Sequence, residues 1–258
     1  MTLTPTYGRA APLPVLPAQP RDEEVAGYFG IEGLDALLPL GLTYDSQIMS
    51  IGATGVGKSV LAAQFLYEGL VTGDTCVYVA CDEPLRNIRL HMAGFRLGTV
   101  AYERSGQLLM LDAYGRELST EARVVPNPSS LDEFFLYEKQ LVGEALASGR
   151  RVRLVVDSLS TLLATNAPAD VIHFNGHRLR YLRALRVLTL DNFVADVLNE
   201  QTMAGLAHSY PLILRLSYQR GDGEMTRYLQ LGKLKSGQFS AGQHPFSIDP
   251  RTGIIVQG

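Results

Sequence analysis

The residues whose types and spacing are best suited to chemistry lie in GATGVGKS, Gly52 to Ser59, which satisfies the G-x-x-x-x-G-K-[ST] pattern. In such a loop the backbone N–H groups of Gly52, Ala53, Thr54, Gly55, Val56 and Gly57 approach phosphate oxygens, because the glycines turn tightly and put no side chain in the way. Lys58 is then expected to reach the β- and γ-phosphates of ATP, and the Ser59 hydroxyl to coordinate Mg²⁺. A mere glycine turn at a helix start would match the same letters. An apolar strand run before the loop and an amphipathic helix after it favour the phosphate reading.

Carboxylates complete the constellation. Asp157 closes the apolar run LVVD, and a carboxylate at the C-terminal end of a buried strand can hold Mg²⁺, usually through water; capping the next turn is the structural alternative. Asp82 and Glu83 end the strand that follows the loop's helix, so parallel topology brings them to the phosphate edge. One of them is expected to position the attacking water, and both also suit the cap of the helix that Pro84 opens.

Short apolar runs separated by helical patterns must carry these residues, a rhythm that indicates parallel strands with crossover helices. QIMSIG leads into the loop, and Lys58 to about Val71 has helical spacing with Gly73 as its stop. TCVYVAC, then Gln107 to Tyr114, are further strands. Ser130 with Glu133 resembles a capping box opening a helix that ends near Gly149. RVRLVVDS is the strongest strand pattern; a helix around Val171 to Leu188 and a strand from Phe193 to Leu198, ending in Asn199, Glu200 and Gln201, follow it. From Tyr210 to Val256 strand patterns dominate, with a hairpin turn expected at Gly221 to Gly223. The expected class is α/β: a mostly parallel twisted sheet flanked by helices, with a C-terminal antiparallel strand extension. Upstream, GIEGLDALL suits a short helix packed just ahead of this domain. Five prolines among residues 1–22 predict a flexible arm, leaving 23–258 as a single ATPase domain.

Composition narrows the function classes. With a net formal charge of -3 the chain lacks the overall basic field of constitutive nucleic-acid or anionic-membrane binders. Cys76 and Cys81, at odd spacing in one strand, point to opposite faces and are not expected to bond each other. That usage suits the reducing cytoplasm. No apolar run approaches the roughly 18 to 20 residues needed to span a bilayer, so no membrane association is expected.

Together GLDALL, GATGVGKS, YVACDEP, LVVDSLSTLL and GKLKSGQFSAGQHPFSI resemble the KaiC-like ATPases of the RecA superfamily, over roughly Gly30 to Val256. The resemblance implies a RecA-like P-loop NTPase core. It also implies that Asp82 and Glu83 match two adjacent catalytic glutamates, the first shortened here by one methylene, which shifts a bound water by about 1 Å. It maps the strand-end metal aspartate of the family onto Asp157. It further maps a K-L-R element that reaches a neighbour's nucleotide onto Lys233-Leu234-Lys235, with Lys235 in place of the forked arginine. By strand spacing alone Lys233 and Lys235 only share a face and suit a solvated edge. The implied assembly is a homo-oligomer, commonly a hexameric ring, with nucleotide between subunits.

Other candidates are weaker. His173 and His177 share a helix face at a spacing that recurs in metal sites, although a solvated face explains it better. Arg178, Arg180, Arg183 and Arg186 make the same segment basic, which suits solubility first, and DNA or an acidic subunit edge after it. The leading expectation is Mg²⁺-dependent binding and slow hydrolysis of ATP that drives conformational change or assembly of a homo-oligomeric regulatory protein. An ATP-sensing adaptor that recruits a regulatory partner without hydrolysis is the second reading. A recombinase-like DNA-binding ATPase is the third, disfavoured by the acidic charge, and autophosphorylation at Ser236 or Ser240 is the fourth.

Overall fold

The computed structural model describes residues 26–115, 121, 123–221, 224–234 and 242–257. The arm at 1–22, Lys235, Ser236 and Ser240 lie outside them. The strands are β1 (Gln47–Gly52), β2 (Thr75–Ala80), β3 (Leu108–Asp112), β4 (Val152–Asp157), β5 (Val187–Val194), β6 (Leu212–Gly221), β7 (Glu224–Leu234), β8 (Gln243–Asp249) and β9 (Gly253–Val256). The helices are α1 (Glu32–Asp35), α2 (Lys58–Val71), α3 (Leu85–Gly94), α4 (Val100–Arg104), α5 (Leu131–Leu146), α6 (Leu159–Leu163), α7 (Pro168–Ala184) and α8 (Glu200–Ser209).

Among the described residues one sheet contains every strand, in the order β3-β2-β4-β5-β1-β6-β7-β8-β9. Pairing is parallel from β3 through β6 and antiparallel from β6 to β9, so the expected class and its antiparallel extension are both present. Both β2 and β4 are buried along their whole length, which is why TCVYVA and VRLVVD read as nearly continuous apolar runs. Alternation sends Cys76, Tyr78 and Ala80 to the core beneath α2 and α3, and Val77, Val79 and Cys81 to the opposite core with α5 to α8. The two cysteines are accordingly free and on opposite faces.

Local signals held where a side chain caps a helix. Ser130 Oγ accepts from the Glu133 N–H at 3.3 Å, opening α5 as the capping-box pattern implies. Pro84 takes the capping position of α3, one residue before its first helical residue. In the N-terminal segment Asp35 accepts from the N–H groups of Phe29 and Ile31 at 2.7 and 3.1 Å, folding the chain around the short α1. The β6–β7 hairpin pairs Gly221 with Glu224, and its register shifts at Gly232, between the pairs Ile213–Lys233 and Leu214–Leu231.

Two boundaries differ from the sequence reading. The α7 helix ends at Ala184, and Arg186, at φ 54°, turns the chain into β5 from Val187, so Leu188 is strand rather than helix. The trio Asn199-Glu200-Gln201 does not finish a strand: Asn199 Oδ1 accepts from the Thr202 N–H at 2.8 Å and opens α8. The apolar pattern of β5 is interrupted by Asp191 and Asn192, which are fully buried polar residues with partners in the core. That interruption hides the true extent of the strand.

Candidate nucleotide site

The C-terminal ends of β1, β2 and β4 lie along one edge of the sheet, and each delivers part of the predicted set. From β1 the chain enters the loop, where Gly55 and Gly57 adopt φ 78° and 122°, conformations that side chains disfavour. Space demands glycine at Gly57 as well, because a Cβ there would lie 2.9 Å from Ile248 Cδ1. Tyr218 on β6 donates its hydroxyl to the Gly55 carbonyl at 2.7 Å and fixes the loop from the neighbouring strand. The loop then opens the 14-residue α2, whose N-terminal dipole favours an anion.

Lys58 is buried at that N-terminus, and its Nζ donates to the carbonyls of Gly52 and Ala53 at 2.8 and 2.9 Å. Burial pushes the amine below its usual pKa, while Asp157 and Asp82 pull it back up. A desolvated cation held only by carbonyls, beside glycine amides and a helix N-terminus, fits phosphate oxygens. Ser59, next in the chain, is exposed at the same place.

Asp157 is buried at the end of β4, and both its oxygens are engaged. Tyr78 on β2 donates to Oδ2 at 2.7 Å, and Asn192 on β5 donates Nδ2–H to Oδ1 at 2.8 Å. Each oxygen keeps a further lone pair, which fits water-mediated contact to a divalent cation. The Asp157–Ser158 peptide is cis.

Asp82 and Glu83 separate in role. Asp82 is exposed and acts on Lys58 through its charge. Glu83 is half-buried and lines a cavity of about 90 Å³ with Ser59, Tyr78 and His91. The His91 Nδ1 lies 3.3 Å from Glu83 Oε1. Ser59 and Glu83 thus face one space, with Tyr78 in its wall linking it to Asp157.

Lys233 is used within its own chain: Nζ donates to the carbonyls of Ala207 and His208 at 3.1 and 3.0 Å, at the C-terminal end of α8 where a cation is favoured. Its predicted companion Lys235 lies outside the described residues. His173 and His177 are both exposed on α7, with the His177 ring edge-on to Phe135 at 5.5 Å. No group of three or more His, Cys, Asp or Glu able to hold a metal occurs among the described residues. No helix among them is long and apolar enough to cross a membrane.

Arg178 corrects the basic-face reading of α7. It is fully buried, donating Nε–H to Glu138 at 2.8 and 2.9 Å and its terminal N–H groups to Asp191 at 2.7 and 3.0 Å. Three residues that the sequence reading passed over build the site itself: Tyr78, Asn192 and Tyr218. A visible signal existed for Asn192, as a polar residue inside the apolar run VLTLDNFV, whereas the two tyrosines look like ordinary strand residues.

The family model "ATPase: KaiC" matches residues 28–258. A UPF0273 protein of Pyrococcus horikoshii is 32% identical over 238 residues, covering 88% of this chain and 92% of that protein. A UPF0273 protein of Thermotoga maritima is 30% identical over 235 residues, covering 88% and 93%. Among solved structures, a KaiC-like protein of Pyrococcus horikoshii OT3 shares the fold with a TM-score of 0.72 at 24% identity, covering 92% of this chain and 99% of that one.

Proposed function

This chain belongs to the KaiC ATPase family, and from that premise we propose that it binds ATP with Mg²⁺ and hydrolyses it slowly to drive a conformational change or assembly of a homo-oligomer. The observation that carries the reading is the convergence of Lys58, Ser59, Asp157 and Glu83 from three parallel strand ends, with Ser59 and Glu83 on one cavity. Residues 23–258 would act as one catalytic domain, in keeping with the family match over 28–258.

In this reading the loop amides and Lys58 bind the β- and γ-phosphates, and Lys58 exchanges its two loop carbonyls for phosphate oxygens. Ser59 and Asp157 would hold Mg²⁺, which when bound neutralises charge on the phosphates. Glu83 orients water from the cavity side and accepts its proton as the water oxygen bonds to the γ-phosphorus and the bond from that phosphorus to the β,γ-bridging oxygen breaks, releasing ADP and phosphate. Asp157 and, less strongly, Asp82 favour the charged form of the Lys58 amine against the effect of burial. Lys233 serves the nucleotide of the adjoining subunit, by analogy with the family's interface element, together with Lys235.

Light scattering with and without Mg-ATP, with phosphate release measured on the same sample, tests the proposal. Assembly plus release that disappears in Glu83→Gln supports it. Assembly with no release above that of Glu83→Gln would replace it with an ATP-sensing adaptor.

A further inference from the structure

A carboxylate that orients water works best with one oxygen held and the other presented to the water. At Glu83 a holding group is present: His91 Nδ1 faces Oε1 at 3.3 Å, and both side chains line the cavity that reaches Ser59. His91 sits on α3, about two turns in from Pro84, so the helix that follows the strand end supplies the partner for the carboxylate at that end. Its side chain is 64% exposed and that of Glu83 27%. A polar contact so exposed contributes little to stability, which leaves the position of the carboxylate as its main consequence.

We infer that His91 is a positioning residue for Glu83: it engages Oε1 so that Oε2 meets the water. This rests on the reading of Glu83 as the water-orienting group. Of the neighbouring polar groups, Tyr78 from β2 lines the same cavity as the pair, and Asp82 precedes Glu83 in the chain. Burial holds the Tyr78 phenol well above its usual pKa, so it stays neutral. Arg89 is bound by Glu103 and Glu121.

Steady-state hydrolysis by the full chain at saturating Mg-ATP reads the positioning. In His91→Ala kcat is expected to fall roughly fivefold, about the worth of one hydrogen bond, with KM unchanged. In His91→Gln, whose amide can still donate to Oε1, kcat is expected to return most of the way to wild type. A His91→Ala kcat equal to wild type, or equal losses in the Ala and Gln variants, overturns the inference. Glu83→Gln separates the two readings. If it retains turnover, the role of Glu83 falls and the inference with it; if it abolishes turnover while His91→Ala keeps the wild-type kcat, the inference alone falls.

Discussion

The Tyr78 hydroxyl on β2 donates to Asp157 Oδ2 on β4 at 2.7 Å, and both residues are buried. The two strands are adjacent and in register, Ala80 opposite Asp157, so the tyrosine reaches the carboxylate from two residues down the neighbouring strand. With Asn192 on the other oxygen, the aspartate is oriented from both flanking strands at once. Such orientation keeps a charged group fixed at the sheet edge before any ligand arrives.

Removing that hydroxyl tests the arrangement. Tyr78→Phe leaves Oδ2 of a buried carboxylate short of one donor, and hydrogen bonds to charged groups contribute about 1.5–3 kcal/mol. The variant should unfold at lower denaturant concentration and need more Mg²⁺ for half-maximal hydrolysis, while its ATP affinity without metal stays the same. Chemical denaturation and a Mg²⁺ titration of phosphate release measure these effects.

Arg178 is expected to be the most costly single residue to truncate. Its guanidinium faces Glu138 and Asp191 with all three side chains fully buried, and Tyr210 adds a hydroxyl to Asp191 at 2.6 Å. Arg178→Met strands two carboxylates in the core and should destabilise by about 3–5 kcal/mol. The pH dependence follows from Glu138, whose carboxyl is raised above its usual pKa, first by burial. A raised folded pKa means that the native state takes up the proton first. Its stabilising contribution is therefore complete below the unfolded value and lost as pH rises through the raised folded value. Without the lowering influence of Arg178 this window widens, so the variant should lose more of its melting temperature between pH 5 and pH 8 than the wild type does. Thermal melts at the two pH values check the sign.

The P-loop, β1, β2, β4 and their partner helices are legible in the sequence because each obeys a local rule. Glycines mark the loop, continuous apolar runs mark strands covered on both faces, and Ser130 or Pro84 mark helix starts. What stays hidden is polar and long-range. Arg178 reads as one more charge on a basic helix until Glu138 on α5 and Asp191 on β5 are brought to it. Asp191 and Asn192 break the apolar pattern of β5 because one serves that ion cluster and the other serves Asp157. Tyr78 and Tyr218 look like strand packing, and only the register of β2 with β4 and of β1 with β6 reveals their hydroxyls at the site.

Tyr218 gives a prediction about affinity. Its hydroxyl donates to the Gly55 carbonyl, and loss of one such bond is worth about 0.5–1.5 kcal/mol. Tyr218→Phe should weaken ATP binding by roughly two- to tenfold through a looser loop. The kcat at saturating ATP should change little, since the ring remains and the carboxylates are untouched. Equilibrium binding of a fluorescent ATP analogue together with steady-state kinetics separates the two quantities.

Lys233 decides whether each site belongs to one subunit or to two. Within the chain it caps the C-terminal end of α8, so a purely local role predicts that Lys233→Ala slightly destabilises α8 and leaves hydrolysis intact. Service to an adjoining nucleotide predicts instead an assembled protein that binds ATP and fails to turn it over. Mixing makes the distinction sharp. In a heterologous ring each site would combine Lys58 of one subunit with Lys233 of the next, so Lys58→Ala and Lys233→Ala chains are each inactive alone. Co-assembled in equal amounts, they should regain activity at about a quarter of the sites by random pairing. Phosphate release from the mixture above the sum of the separate variants is the expected outcome, and simple additivity would confine Lys233 to the end of its own helix.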